Sequence, residues 1–139
     1  MEGFNIVRPG YEAFNRYFTG GSEADLAAWL DTYNIDCELH EEPDIPDARI
    51  YRGHAGLQRY AEEIRERWEE LSLEVHEVLM QGDVVVTIGL HRGRMRRTGI
   101  EFSHPHASVS EFSDGKVMRQ RVYHDRGEAL RAAGIESER

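Results

Sequence analysis

Two periods run through this chain. From residue 71 to residue 124, stretches of apolar and polar side chains alternate every second position, the pattern a β-strand imposes. Residues 10–33 and 54–68 instead repeat their apolar positions every three or four, as an amphipathic helix does. Tyr11, Phe14, Tyr17 and Phe18 predict a first helix from about Gly10 to Thr19, ended by Gly20-Gly21. Ser22 caps a second, with Asp25 favouring its N-terminus and Leu26, Trp29, Leu30 and Tyr33 as its stripe. A short strand around Ile35 to His40 runs into a loop, Glu41 to Asp47, marked by two prolines and four carboxylates. Leu57, Tyr60, Ala61, Ile64 and Trp68 then define a third helix from His54, expected to be the longest. Leu71, Leu73 and Val75 begin a strand, Gln81-Gly82-Asp83 turns the chain, and Val84 to Leu90, Ile100 to Phe112 and Lys116 to His124 read as three more. Asp125 caps a short last helix, Arg126 to Ala133, that Gly134 ends.

Asp114-Gly115 is the clearest turn, because glycine takes positive φ without a Cβ clash. A three-residue loop sets Phe112 opposite Lys116, Ser110 opposite Met118, Ser108 opposite Gln120, His106 opposite Val122 and His104 opposite His124. A two-residue loop shifts the register by one. The first is preferred, since it places Met118 and Val122 on the face of Ile100, Phe102 and Phe112. On that face the ends are apolar and the middle, His104, His106, Ser108, Ser110, Gln120 and His124, is polar, which suggests a lined cavity. The opposite face carries Val117, Arg119, Arg121 and Tyr123 and is expected to pack against a second copy as a homodimer.

Helices grouped ahead of sequential antiparallel strands argue for one α+β domain over residues 1–139. In it a curved antiparallel sheet closed by helices forms a cone with an open end. The formal net charge of −9 gives no support to nucleic-acid binding. The basic run Arg92-Gly93-Arg94-Met95-Arg96-Arg97 is expected at a hairpin tip or pocket rim. Cys37 is the only cysteine, so an intrachain disulfide and a cysteine-rich metal site are excluded, which fits a reducing cytoplasm. No basic segment followed by an apolar run opens the chain, and nowhere do 18 apolar residues stand together. A soluble, unexported protein without a membrane partner is expected.

Arg16-Tyr17, Asp25-Leu26 with Trp29-Leu30, Glu42-Pro43, Tyr51-Arg52-Gly53, Phe112 to Val117, and Tyr123 to Arg126 with Glu128-Ala129-Leu130 follow one another along nearly the whole chain. In this order they resemble the nuclear-transport-factor-2-like (NTF2-like) superfamily, and within it the SnoaL-like polyketide cyclase and ketosteroid isomerase group. The resemblance implies the cone-shaped fold with an internal cavity. It also implies that Glu42, a carboxylate before a proline, is the general base that removes a proton beside a carbonyl. Glu41, Asp44 and Asp47 would supply negative charge to lift its pKa. Tyr17 is implied as a hydrogen-bond donor to the enolate oxygen. The isomerases' second donor, a protonated aspartate before the Asp-Gly hairpin, is replaced here by Ser108 with His106 nearby, either of which can donate to an oxyanion. For the cyclases the implied carboxylate near the end of the sheet is matched by Asp125, which also reads as a helix cap.

The residues themselves add His104 and His124 as an acid/base pair, since histidine titrates near neutral pH. Phe14, Trp29, Trp68 and Phe102 are expected to line the substrate site with His106, Ser108 and Gln120. His104, His106 and His124 could present three imidazoles to zinc, but the resemblance implies no metal, and no cofactor is expected. The expectation is a cofactor-independent acid/base enzyme of isomerase or cyclase type, acting on a small apolar carbonyl compound. The alternative is a non-catalytic ligand-binding or dimerisation module of the same fold.

Overall fold

The computed structural model describes residues 2–41 and 49–135. Its helices are α1 (Glu2–Phe18), α2 (Glu23–Leu30), α3 (Gly53–Arg67) and α4 (Arg126–Ala133). Its strands are β1 (Tyr33–His40), β2 (Ile50–Arg52), β3 (Trp68–Gln81), β4 (Val84–Met95), β5 (Glu101–Ser113) and β6 (Lys116–Tyr123). They form one six-stranded sheet in the order β2-β1-β6-β5-β4-β3. The last four make the antiparallel meander read from the sequence. β1 joins it parallel to β6, so the expected all-antiparallel sheet contains one parallel pair.

The inner face of the sheet packs on α1, α2 and α3. Tyr17, Phe18, Trp29, Leu57, Ala61 and Ile64 meet Tyr33, Leu39, Leu71 and Val117 there. On the outer face Val86, Ala107, Val109 and Tyr123 pack against Ala129 and Leu130 of α4. Strand alternation explains how both clusters share β4 and β5: Val86 and Val109 point outward while Thr87 and Ser108 point inward. α2 starts as expected, the Asp25 carboxylate accepting from the Ser22 N–H at 3.0 Å. α4 begins where Asp125 accepts from Gly127 N–H at 3.0 Å and ends at Gly134, whose φ of 76° is left-handed.

Several expectations are corrected. α1 starts at Glu2 rather than Gly10 and carries Pro9 inside it. Its first turns lie so close to β3 that a Cβ on Gly3 would stand 2.6 Å from Val78 Cγ1, so tertiary packing extends the helix past a local break. At 17 residues α1, not the 15-residue α3, is the longest helix. Tyr33 begins β1 instead of completing the α2 stripe. β4 runs on to Met95, because the basic run is absorbed into the sheet and the end of α3. Arg92 pairs with Glu74 at 2.8 Å and Arg94 with Glu69 at 3.2 Å, and Arg96 donates to the carbonyls of Arg65 and Trp68.

The hairpin register also changes. Asp114 and Gly115 both have positive φ, 54° and 79°, giving a two-residue loop with Phe112 opposite Val117. A bulge between Glu111 and Phe112 then takes up Met118, so Ser110 faces Gln120 and Ser108 faces Val122. Loop and bulge together move the register by two, which returns Gln120 and Val122 to the expected face but turns Val117 into the core. Of the four residues expected on the outer face, Arg119 and Arg121 are held by Glu111 at 2.6 and 3.5 Å, and Tyr123 packs in the α4 cluster. Among the described residues no helix is long and apolar enough to cross a membrane.

At Gly89 the backbones of β3 and β4 come very close. A bulge between Val75 and Glu77 brings the β3 backbone against it, and a Cβ there would lie 1.9 Å from the Glu74 carbonyl oxygen. Neither backbone can retreat without breaking the β3–β4 ladder. Gly89→Ala is therefore expected to lower stability by about 3 kcal/mol or more, read by urea unfolding. A midpoint unchanged from wild type would show that the close approach is not constraining.

Candidate functional site

Between α1, the α2–β1 junction and the inner face of the sheet lies a pocket of about 330 Å³. Phe14, Trp29 and Tyr60 form its aromatic wall. Thr87 and His91 from β4, His106, Ser108 and Ser110 from β5, and Gln120 and Val122 from β6 form its floor. These floor positions follow from the pleat, which points every second residue of three adjacent strands into one space. Lys116, the only lysine in the chain, meets Asp31 at 3.2 Å, and both line the pocket.

Two polar groupings share the floor, and they differ in hydrogen bonding. Gln120 is fixed: its Oε1 accepts from the Tyr33 hydroxyl at 2.6 Å and its Nε2 donates to Ser110 Oγ at 3.2 Å. Burial raises the Tyr33 phenol far above its ordinary range, so it stays a donor. His91 and His106, by contrast, lie with ring centroids 4.4 Å apart, and neither ring hydrogen-bonds to the protein among the described residues. Phe14 stacks on His91 at 6.2 Å. His106 is only 7 % exposed. Burial pushes His91 down to about 4, with His104 adding a smaller effect. It pushes His106 well below the ordinary histidine range, with His91 and His104 again adding to burial. Both rings are neutral at pH 7, each with one N–H to donate and one lone pair to accept.

The residues expected from the sequence divide into five groups. Phe14, Trp29, His106, Ser108 and Gln120 line the pocket. His104 and His124 do not line it but meet each other, Nε2 to Nδ1 at 3.1 Å, although the corrected register sets them diagonally rather than opposite. Trp68 and Phe102 stack at 4.4 Å beyond the pocket, where Phe102 lies over Gly93. Tyr17 is buried under the Arg65 guanidinium, 4.0 Å from its ring centroid, and Asp125 serves as the α4 cap. Glu42 lies outside the described residues, as do Asp44 and Asp47. Among the described residues no group of three or more histidine, cysteine or carboxylate side chains is arranged to hold a metal ion.

His91 was not anticipated. The strand expected to end at Leu90 stopped one residue short of it, and the following arginines masked the inward alternation Thr87, Gly89, His91 that would have found it. Tyr33 was missed for a related reason, having been counted on the helix before it.

A model of the SnoaL-like domain family matches residues 11–120. Curated proteins yield no match. Many solved structures are similar. An NTF2-like protein from Burkholderia xenovorans shares 27 % identity at a TM-score of 0.69, over 95 % of each chain. TerC, co-crystallised with polyporic acid, shares 18 % at 0.74, over 96 % of this chain and 98 % of its own. A protein assigned as a SnoaL-like polyketide cyclase from a Jannaschia species shares 15 % at 0.72, over 98 % and 94 %.

The neutral histidines make a pH prediction. Below about pH 6.5 an unfolded histidine binds a proton that partly buried His91 refuses until about pH 4, so stability falls with falling pH across that window and is unaffected above it. His91 alone should account for roughly 3 kcal/mol by pH 4. Urea unfolding between pH 7 and 4.5 should show a shallower decline for His91→Gln than for wild type; parallel curves would mean that the ring is charged in the fold.

Proposed function

From the chain's place in the SnoaL-like domain family, to which it belongs, we propose that the pocket binds an uncharged, largely apolar carbonyl compound and carries out cofactor-independent acid/base chemistry beside its carbonyl, of the isomerase or cyclase type. The observation that carries this reading is the pair of neutral imidazoles, His91 and His106, in the floor of a largely apolar pocket. A hydrocarbon would leave both rings and Ser108 unpaired, at about 1–3 kcal/mol for each buried group left unsatisfied. A charged ligand would find no counter-charge among the floor residues, since burial holds both imidazoles neutral. A neutral ligand with an oxygen at one edge avoids both costs.

In the chemistry proposed, an imidazole N–H and the Ser108 hydroxyl hold the carbonyl oxygen, where low polarity strengthens their hydrogen bonds as negative charge develops. The lone pair of the other imidazole takes the proton from the adjacent carbon: the C–H bond breaks, an N–H bond forms, and the electron pair moves onto the enolate oxygen. Glu42, which the family resemblance implies as the base, is the alternative acceptor of that proton. The Tyr17 contact with Arg65 and the Asp125 cap of α4 support structural roles for these two residues. TerC was crystallised with polyporic acid, which supports ligand binding as a use of this fold.

A second reading is a binding module without turnover. It is favoured by the burial of His91 and His106, which makes a protonated imidazole costly and hence a weak base. One probe separates the two. With 2-tetralone in D2O, wild type should bind the ketone and accelerate loss of its C1 proton signals in NMR spectra, and His106→Gln should bind but exchange about 100-fold more slowly. Binding with no acceleration would establish the module instead, and absence of binding would overturn both readings of the pocket.

A further inference from the structure

A proton taken up inside this pocket has nowhere stable to stay, because burial that keeps His91 and His106 neutral also penalises their protonated forms. The sheet supplies a route outward. His104 is two positions before His106 on the same face of β5, and it is the register partner of His91 on β4. Same-face neighbours on a strand stand about 7 Å apart, a step that one bridging water spans. From His104 the next step is direct: its Nε2 lies 3.1 Å from Nδ1 of His124, with the rings perpendicular. Both of these rings are only partly buried. Four imidazoles thus lead from the pocket floor to the partly buried rings of His104 and His124, the latter just past the end of β6, the strand that Lys116 begins.

We propose that His104 and His124 form a proton relay between the pocket histidines and solvent, so that a proton removed from the ligand is exchanged with water rather than returned to the same molecule. This rests on the reading of the pocket as an acid/base site. The steps balance without any further reactant. Each imidazole accepts a proton on one ring nitrogen and releases one from the other. At the end of an outward transfer the electron pair rests on the enolate oxygen, one proton has been delivered to water and every ring is neutral in the opposite tautomer; the rings then turn over, and a proton from water passed back along the row reprotonates the carbon. His104 and His124 touch neither ligand nor reacting atoms and are relay residues, not catalytic ones.

The test uses the full chain with 2-tetralone deuterated at C1, in H2O at low buffer concentration. In wild type the deuterium should wash out. In His124→Asn washout should fall about tenfold, with unchanged affinity for the ketone, and added imidazole should restore it by replacing the missing carrier. Washout in His124→Asn that matches wild type, or that falls without imidazole rescue, overturns the relay and leaves the acid/base reading intact. If wild type itself gives no washout, that reading has failed, and the relay is judged by ¹⁵N-histidine NMR. Filling the pocket with 2-naphthol should then shift His104 and His124 together across one shared N–H···N hydrogen bond. Shifts confined to His91 and His106 overturn the relay by that measure as well.

Discussion

The close approach of two backbones at Gly89 is the constraint on which this molecule depends. Because no side chain stands at that position, β3 can press its Glu74 carbonyl against β4, and the bulge at Val75–Glu77 turns that contact into a bend. The residues two positions to either side of Gly89, Thr87 and His91, line the space between α1 and the sheet. Curvature therefore precedes chemistry here: the same glycine that shapes the sheet decides that an imidazole two residues on meets the pocket.

Within that space polarity is arranged in two states. Tyr33, Gln120 and Ser110 satisfy one another, so their end of the floor is rigid and specifies shape. Among the described residues His91 and His106 have no such partners, which leaves them available to a ligand. Their neutrality has the same origin as their availability, since the surroundings that withhold hydrogen bonds also withhold the solvation an imidazolium needs. At the far end of the β5 row, His104 and His124 have found each other. The gradient from buried and neutral to partly buried and paired is what distinguishes this row from a scatter of surface histidines.

Much of the fold was legible because strong local signals agreed with the tertiary arrangement. The Ser22–Asp25 start of α2, the Asp125 cap and Gly134 end of α4, and the Asp-Gly hairpin all depend on neighbours a few residues apart, and each formed where its residues called for it. Local signals misled where distant packing overruled them. Pro9-Gly10 reads as a break, yet α1 continues through it because Gly3 docks on Val78. Leu90 looked like a strand end, yet pairing of Arg92 and Arg94 with glutamates of β3 carries β4 to Met95.

The site was legible only in part, for a reason of the same kind. Alternation alone put His106, Ser108 and Gln120 on one inner face, because the period of a strand is a property of its own backbone. Phe14 and Trp29 joined them from the apolar faces of their helices. Alternation could not say how far along each strand the pocket extends. Trp68 and Phe102 share the inner face but pack beyond the pocket, and Tyr17 shares the α1 face but is claimed by Arg65. By itself, then, the sequence determined which side of each element looks inward and where most elements begin and end, since those are set by local chemistry. Which inward residues meet in one space was decided by a bend at Gly89, a bulge at Glu111–Phe112 and the docking of α1, each an agreement between segments far apart in the chain.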